Sequence, residues 1–172
     1  LTINRADAGA GLFAEADATV VDLTLADVDV DGGDDVGAVV GRLEHGRIHD
    51  VHVTGTISGD IAVGGVVGEV GAGDYGGAQL SQLAVDANVS GDAYVGGLVG
   101  DLDEGCCGRV TLIRSSVAGH VEGDGSVGGV AGVSTAGIST SYTTAAVSGQ
   151  RQVGGLVGDN RGGILRSFAA GP

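Results

Sequence analysis

The chain has 172 residues, 42% of them hydrophobic and 3% aromatic, with 36 glycines, one proline, two cysteines and no tryptophan or methionine. Valine, alanine, leucine and isoleucine supply enough apolar material for a core, which excludes the disorder of Gly-rich charged chains, and glycine without a three-residue period excludes collagen. Twenty-two acidic residues stand against eight basic ones, all arginine, and the net charge of −14 excludes a nucleic-acid-binding face and disfavours anionic membrane surfaces.

In dilute buffer such a charge destabilises a compact chain by self-repulsion. At molar salt the Debye length falls to about 3 Å and the repulsion is screened. An acidic, lysine-free chain therefore points to a salt-loving source, with an acidic secreted protein from a GC-rich genome as the plainer alternative. No apolar run reaches the length of about 18 residues that a membrane-spanning helix requires, so membrane insertion is not expected. The chain opens at Leu1 without a signal-peptide pattern, and reads as a mature or trimmed product or as a piece of a longer protein.

From the N-terminus onward the organisation is repetitive. "GAGLFA" at Gly9 is a degenerate copy of a hexapeptide that returns as "VGAVVG" at Val36, "VGGVVG" at Val63, "VGGLVG" at Val95, "VGGVAG" at Val127 and "VGGLVG" at Val153. The valine anchors are separated by 27, 32, 32 and 26 residues, and Gly9 lies 27 before Val36. A period in this range signals a solenoid.

The columns extend beyond the hexapeptide. Four residues before the anchors stand Gly32, Gly59, Gly91, Gly123 and Gly149; six before, Val30, Ile57, Val89, Val121 and Val147; eight before, Val28, Gly55, Ala87, Gly119 and Ala145; ten before, Ala26, Val53, Val85, Val117 and Thr143. Alternate residues share one face of a strand, so the last three columns point inward and their neighbours face solvent. Each unit offers three short strands: the hexapeptide, a mid-repeat segment such as "GRIHDVHV", and a segment before the next anchor. The sequence therefore predicts an all-β fold, a β-solenoid (β-helix) of about six stacked coils near 9–35, 36–62, 63–94, 95–126, 127–152 and 153–172, the last partial. In this reading the hexapeptide glycines supply positive φ and a missing Cβ at a tight corner.

"VGGLVGDNRGGILRSFAAGP" from Val153 resembles the GLUG motif, a short bacterial and archaeal repeat, and the opening "LTINRADAGAGLF" resembles the start of such arrays. The resemblance spans essentially the whole chain. It implies an extracellular or surface-attached β-solenoid of adhesin-like proteins or of accessory regions in secreted peptidases, and it carries no catalytic residues. The two 32-residue units depart from the pattern.

Several residues could carry chemistry. In "HGRIHDVHV", His45, His49 and His52 beside Asp50 could ligate a transition metal, but strand geometry separates His49 from His52. Asp60, Asp92 and Asp124 stand three residues before successive anchors; in register they would form a ladder that calcium could neutralise, or solvated turn residues. Glu69, Asp101 and Asp159 make a second acidic column. Asn88-Val89-Ser90 is an N-glycosylation sequon with Asn88 facing out. Cys106 and Cys107 are adjacent: a strained vicinal disulfide, links to another chain, and two thiols all remain open.

The extra residues of the third and fourth coils should form one bulge that gathers Asp74, Tyr75, Asp103, Glu104 and Arg109 into a binding face, or represent neutral loop growth. Solenoid sides are otherwise expected to be convex. The functional expectation is a non-enzymatic extracellular or cell-surface repeat protein acting as adhesive stalk, spacer or filament subunit. Its partners would be further copies, other surface proteins or glycans, and no cofactor is required beyond the calcium considered above. The alternative is an accessory, non-catalytic segment of a secreted peptidase or polysaccharide-acting hydrolase. Ice binding would need regular Thr-x-Thr ladders, which are absent from the sequence.

Overall fold

The structure, a computed structural model, describes residues 1–5, 9–71, 77–105 and 109–172. The valine anchors form one parallel ladder: Val36 pairs with Val63, Val63 with Val95, Val95 with Val127 and Val127 with Val153. The inward column pairs in the same way, Val30 with Ile57, Ile57 with Val89, Val89 with Val121 and Val121 with Val147. Successive windings therefore lie in register. The described residues form an all-β, parallel solenoid of about six turns, with no helix among them.

Beside the anchor ladder, which is a five-stranded sheet of its own, three faces of a fifteen-stranded sheet enclose the core. The first holds Val67–Val70, Val99–Leu102, Ala131–Ser134 and Val157–Asn160, beside the start of Val40–Ser58. The second holds Thr111–Ile113, Gly137–Ser139 and Ile164–Leu165; the third holds Ser116–Gly123, Tyr142–Thr143 and Ala146–Gly149. In the early coils the second and third faces are one continuous strand, as in Val40–Ser58 and Ala78–Gly91. Leu43, Ile48, Ile57, Leu80, Leu83, Leu98, Leu102 and Leu112 are fully buried along the axis. Each such side chain stabilises the fold by about 1.5–3 kcal/mol, which lets a chain with so few aromatic residues hold a core.

The hexapeptide spans two sheets. Its opening Val-Gly joins the anchor ladder, two residues bend, and the rest starts the first face. Its glycines do not have positive φ, which corrects that half of the sequence reading. They are needed for close approach. A Cβ on Gly97 would collide with the carbonyl oxygen of Gly129 in the next coil and with Val117 Cγ1. The left-handed corners belong to other residues. Asp22, Asp50, Gln82, Arg114, Thr140 and Arg166 have φ of 51–56°, and they occupy one column, because the residues beside them pair coil to coil. Each non-glycine residue there costs about 1–2 kcal/mol. In-register pairing on both sides of the corner enforces the conformation.

The residue after this corner points inward. It is apolar in the early coils, Val51 and Leu83, and serine in the later ones, Ser115, Ser141 and Ser167. Each serine Oγ accepts a backbone N–H from the coil before: Leu83 to Ser115 at 3.2 Å, Ser115 to Ser141 at 3.2 Å and Ser141 to Ser167 at 3.1 Å. Each also donates to the carbonyl two residues earlier in its own chain. The buried hydroxyls are thereby satisfied.

The first coil departs from the expected columns at two places. Leu25, not Ala26, pairs with Val53; a register shift follows, and exposed Ala26 and Asp27 bulge outward, with the Asp27 N–H donating to Thr54 Oγ1 at 3.1 Å. Ala10, rather than Gly9, bridges to Val36. In both places one added or missing residue is absorbed locally, as β-bulges do.

Three substitutions check this packing by their effect on stability. Gly97→Ala is expected to lower unfolding free energy by about 3 kcal/mol or more, at the upper end for overpacking. Gly137→Ala, whose Cβ meets nothing within 4 Å, should be neutral or stabilising by about 0.4–1 kcal/mol. Ser141→Ala leaves the buried Ser115 N–H without its partner and should cost about 1–3 kcal/mol in the same denaturant titration.

Candidate functional site

The turn aspartates stack as the spacing requires. The Asp92 N–H donates to the Asp60 carbonyl at 2.8 Å and the Asp124 N–H to the Asp92 carbonyl at 3.1 Å. All three side chains are exposed. The next coil places Gln150 there, and its Nε2 donates to Asp124 Oδ1 at 2.6 Å. No set of three or more His, Cys, Asp or Glu among the described residues is placed to hold a metal ion. The histidines diverge to separate neighbours: His49 Nδ1 lies 2.9 Å from Ser81 Oγ, His45 is 4.0 Å from Asp17 and His52 is 3.9 Å from Asp50. Asn88 is exposed between Thr56 and His120 of the adjacent coils, while Val89 points into the core.

The two long units diverge from the short ones at one corner. Val70 pairs with Leu43 and Leu102, and Leu80 pairs with Ile48 and Leu112, so in sequence the additional residues fall between the first and second faces in both coils. Asp74, Tyr75, Cys106 and Cys107 lie outside the described residues. Arg109 is exposed and its backbone lies against Gly77. Asp103 and Glu104 are tied to the fifth coil: Thr135 Oγ1 donates to Asp103 Oδ1 at 2.8 Å and accepts the Glu104 N–H at 2.8 Å.

One side of the solenoid is not convex. The residues just before the anchors and those just after the hexapeptide bend form two walls of an axial groove. In the later coils it is a cavity of about 460 Å³ between Tyr94 and Gln152 on one wall and Asp101, Asp103, Asp159 and Arg161 on the other. Asp35, Ala62 and Tyr94, each just before an anchor on one wall, have left-handed φ of 55–56°. The second acidic column falls here, in the paired order Arg42, Glu69, Asp101, Val133, Asp159.

In the earlier coils the same column carries Arg42. Its guanidinium meets Glu44 Oε1 at 2.6 Å, Glu69 Oε1 at 2.8 Å and Asp35 Oδ2 at 3.7 Å. It rests on Gly71, where any Cβ would meet its Nη2 at 2.8 Å. Despite this ion pair the Glu69 carboxyl is pushed up to about 7, by burial first and then by its hydrogen bond and proximity to Asp35. Asp101 is pushed up to about 6 by burial and by Asp103 and Asp35, with Arg161 and Arg42 opposing. Sequence reading found this acidic column but not the wall opposite, because the bend that creates the groove lies inside a hexapeptide that reads as continuous strand.

The family model of the GLUG motif matches residues 32–58, a span equal to one 27-residue repeat. A stretch of 76 residues is 38% identical to halomucin of Haloquadratum walsbyi, covering 42% of this chain and 1% of halomucin. A stretch of 51 residues is 43% identical to the immunoglobulin A1 protease of Streptococcus sanguinis, covering 29% of this chain and 3% of that protein. No solved structure matches. The chain thus carries the GLUG motif on a β-solenoid.

The carboxyl shifts have a defined sign. An acid whose pKa is raised by folding binds its proton more tightly folded than unfolded, so its contribution is fully present below the unfolded value and is lost as pH rises through the folded one. For Glu69 and Asp101 the window runs from near pH 4 to about 7. Thermal unfolding at fixed salt should show Tm falling across this window, with a shallower fall in a Glu69→Gln/Asp101→Asn variant.

Proposed function

We propose that this GLUG-motif solenoid is an extracellular, non-catalytic structural segment: an acidic rod that spaces or presents other parts of a surface or secreted protein, as a stalk or filament element. The observation that carries this reading is the unbroken interior column from Val30 to Val147, hydrogen-bonded coil to coil through parallel pairing. Such a core gives length and lateral stiffness, since each repeat is clamped by both neighbours.

Two further facts agree with it. The net charge of −14 without lysine suits a salt-rich exterior, as does likeness to a protein named halomucin. The name of the second relative places its substrate among immunoglobulins, which are extracellular. That likeness also favours the second reading, an accessory segment of a secreted hydrolase. Under either reading partners are surface proteins, further copies or glycans, and exposed Asn88 is open to glycosylation.

Antibodies raised against the segment should label intact source cells or the medium, and small-angle scattering in molar salt should give a rod cross-section. Labelling only after permeabilisation would overturn the reading. Mass spectrometry of the labelled native protein separates the two versions, since a hydrolase domain on the same polypeptide favours the second.

A further inference from the structure

One column of the repeat, Arg42, Glu69, Asp101, Val133 and Asp159, has two different settings along the solenoid. In the first three coils Asp35, Glu44 and Glu69 gather around an arginine of the chain itself, Arg42, which lies over the bare backbone of Gly71. In the later coils the equivalent wall supplies Asp101, Asp103 and Asp159, and the space between the walls is an open cavity of about 460 Å³. Where Arg42 would be repeated, the sequence places Asp101, Val133 and Asp159 instead. Among the described residues one cation lines this stretch, Arg161, whose Nη2 sits 2.7 Å from Asp159 Oδ2. The Asp101 carboxylate makes no hydrogen bond or ion pair within the described residues. Tyr94 is exposed on the opposite wall, and aromatic rings attract guanidinium groups.

We propose that the open stretch of the groove, between Tyr94 and Gln152 on one side and Asp101, Asp103 and Asp159 on the other, binds an arginine-bearing extended peptide segment of a partner protein. Such a segment would run along the solenoid axis. Its guanidinium would take the place beside Asp101 and Asp103 that Arg42 takes beside Glu44 and Glu69. Planar guanidinium geometry suits paired carboxylates better than a point charge does. Charge complementarity favours a peptide over a neutral sugar here, because three carboxylates face the cavity against one arginine. At contact distance between half-buried groups the attraction persists in salt better than the exposed field does. The proposal is independent of whether the rod acts as stalk or accessory segment.

The test is calorimetric titration of the full chain with a short peptide alternating glycine and arginine, and with the same peptide carrying neutral citrulline. Binding of the arginine peptide alone is expected. An Asp101→Asn/Asp103→Asn variant should weaken it about tenfold or more, the sum of two partly exposed charge pairs. Arg161→Gln should tighten it by uncovering Asp159, a gain that misfolding cannot produce. Circular dichroism confirms that each variant retains its β structure. Equal binding of the citrulline peptide, an unchanged affinity in the Asn variant, or binding of neutral oligosaccharides in place of the arginine peptide overturns the proposal.

Discussion

Parallel hydrogen bonding between successive coils is the constraint on which everything else depends. It holds equivalent residues about 4.8 Å apart along the axis, so each position of the repeat becomes a column rather than a point. A column of valine is then a core. A column of glycine is a place where two backbones touch, and a column of serine is a hydrogen-bonded ladder. The αL corner shows the strength of the constraint: it holds Asp22, Asp50, Gln82, Arg114, Thr140 and Arg166 in one unfavourable conformation, although a glycine-rich chain had glycine at its disposal.

Column logic also explains how much could be read without coordinates. The anchors and the Val30-to-Val147 row were legible because hydrophobic identity and spacing repeat together. The column of Ala26 was misread because pairing, not counting, sets register, and a bulge at Ala26 and Asp27 absorbs one residue. The role of glycine was half legible: its missing Cβ matters, while its φ does not. The corner column was illegible because aspartate, glutamine, arginine and threonine share no side-chain chemistry; only their backbone is alike. The serine ladder was hidden for a related reason, since Val51, Leu83, Ser115 and Ser141 fill one interior position with two kinds of solution.

Among candidate site residues, the sequence placed Asp60, Asp92 and Asp124 in register and Asn88 outward, and the coordinates agree on both positions. It did not see that Glu69, Asp101 and Asp159 face a second wall. Stacking relates a residue to its counterparts in neighbouring coils, and spacing reveals that relation. The groove relates residues across a bend within one coil, and no periodicity reports the bend.

The two acidic columns show how solvent decides what a stacked sequence can tolerate. At the exposed turn three aspartates follow one another directly, Asp60, Asp92 and Asp124, because water and salt screen each carboxylate. In the half-buried groove no three acids follow in succession. The order there is Arg42, Glu69, Asp101, Val133, Asp159, so a cation or an apolar residue flanks every acidic pair. Where two acids do adjoin, Glu69 and Asp101, both carboxyls are raised toward neutrality, chiefly by burial. Desolvation thus limits like-charge stacking in the groove, while the turn column is limited only by what the solvent can screen. An acidic surface of this kind is sustainable on a solenoid because register allows each column to be set separately: charged where water reaches it, interrupted where water does not.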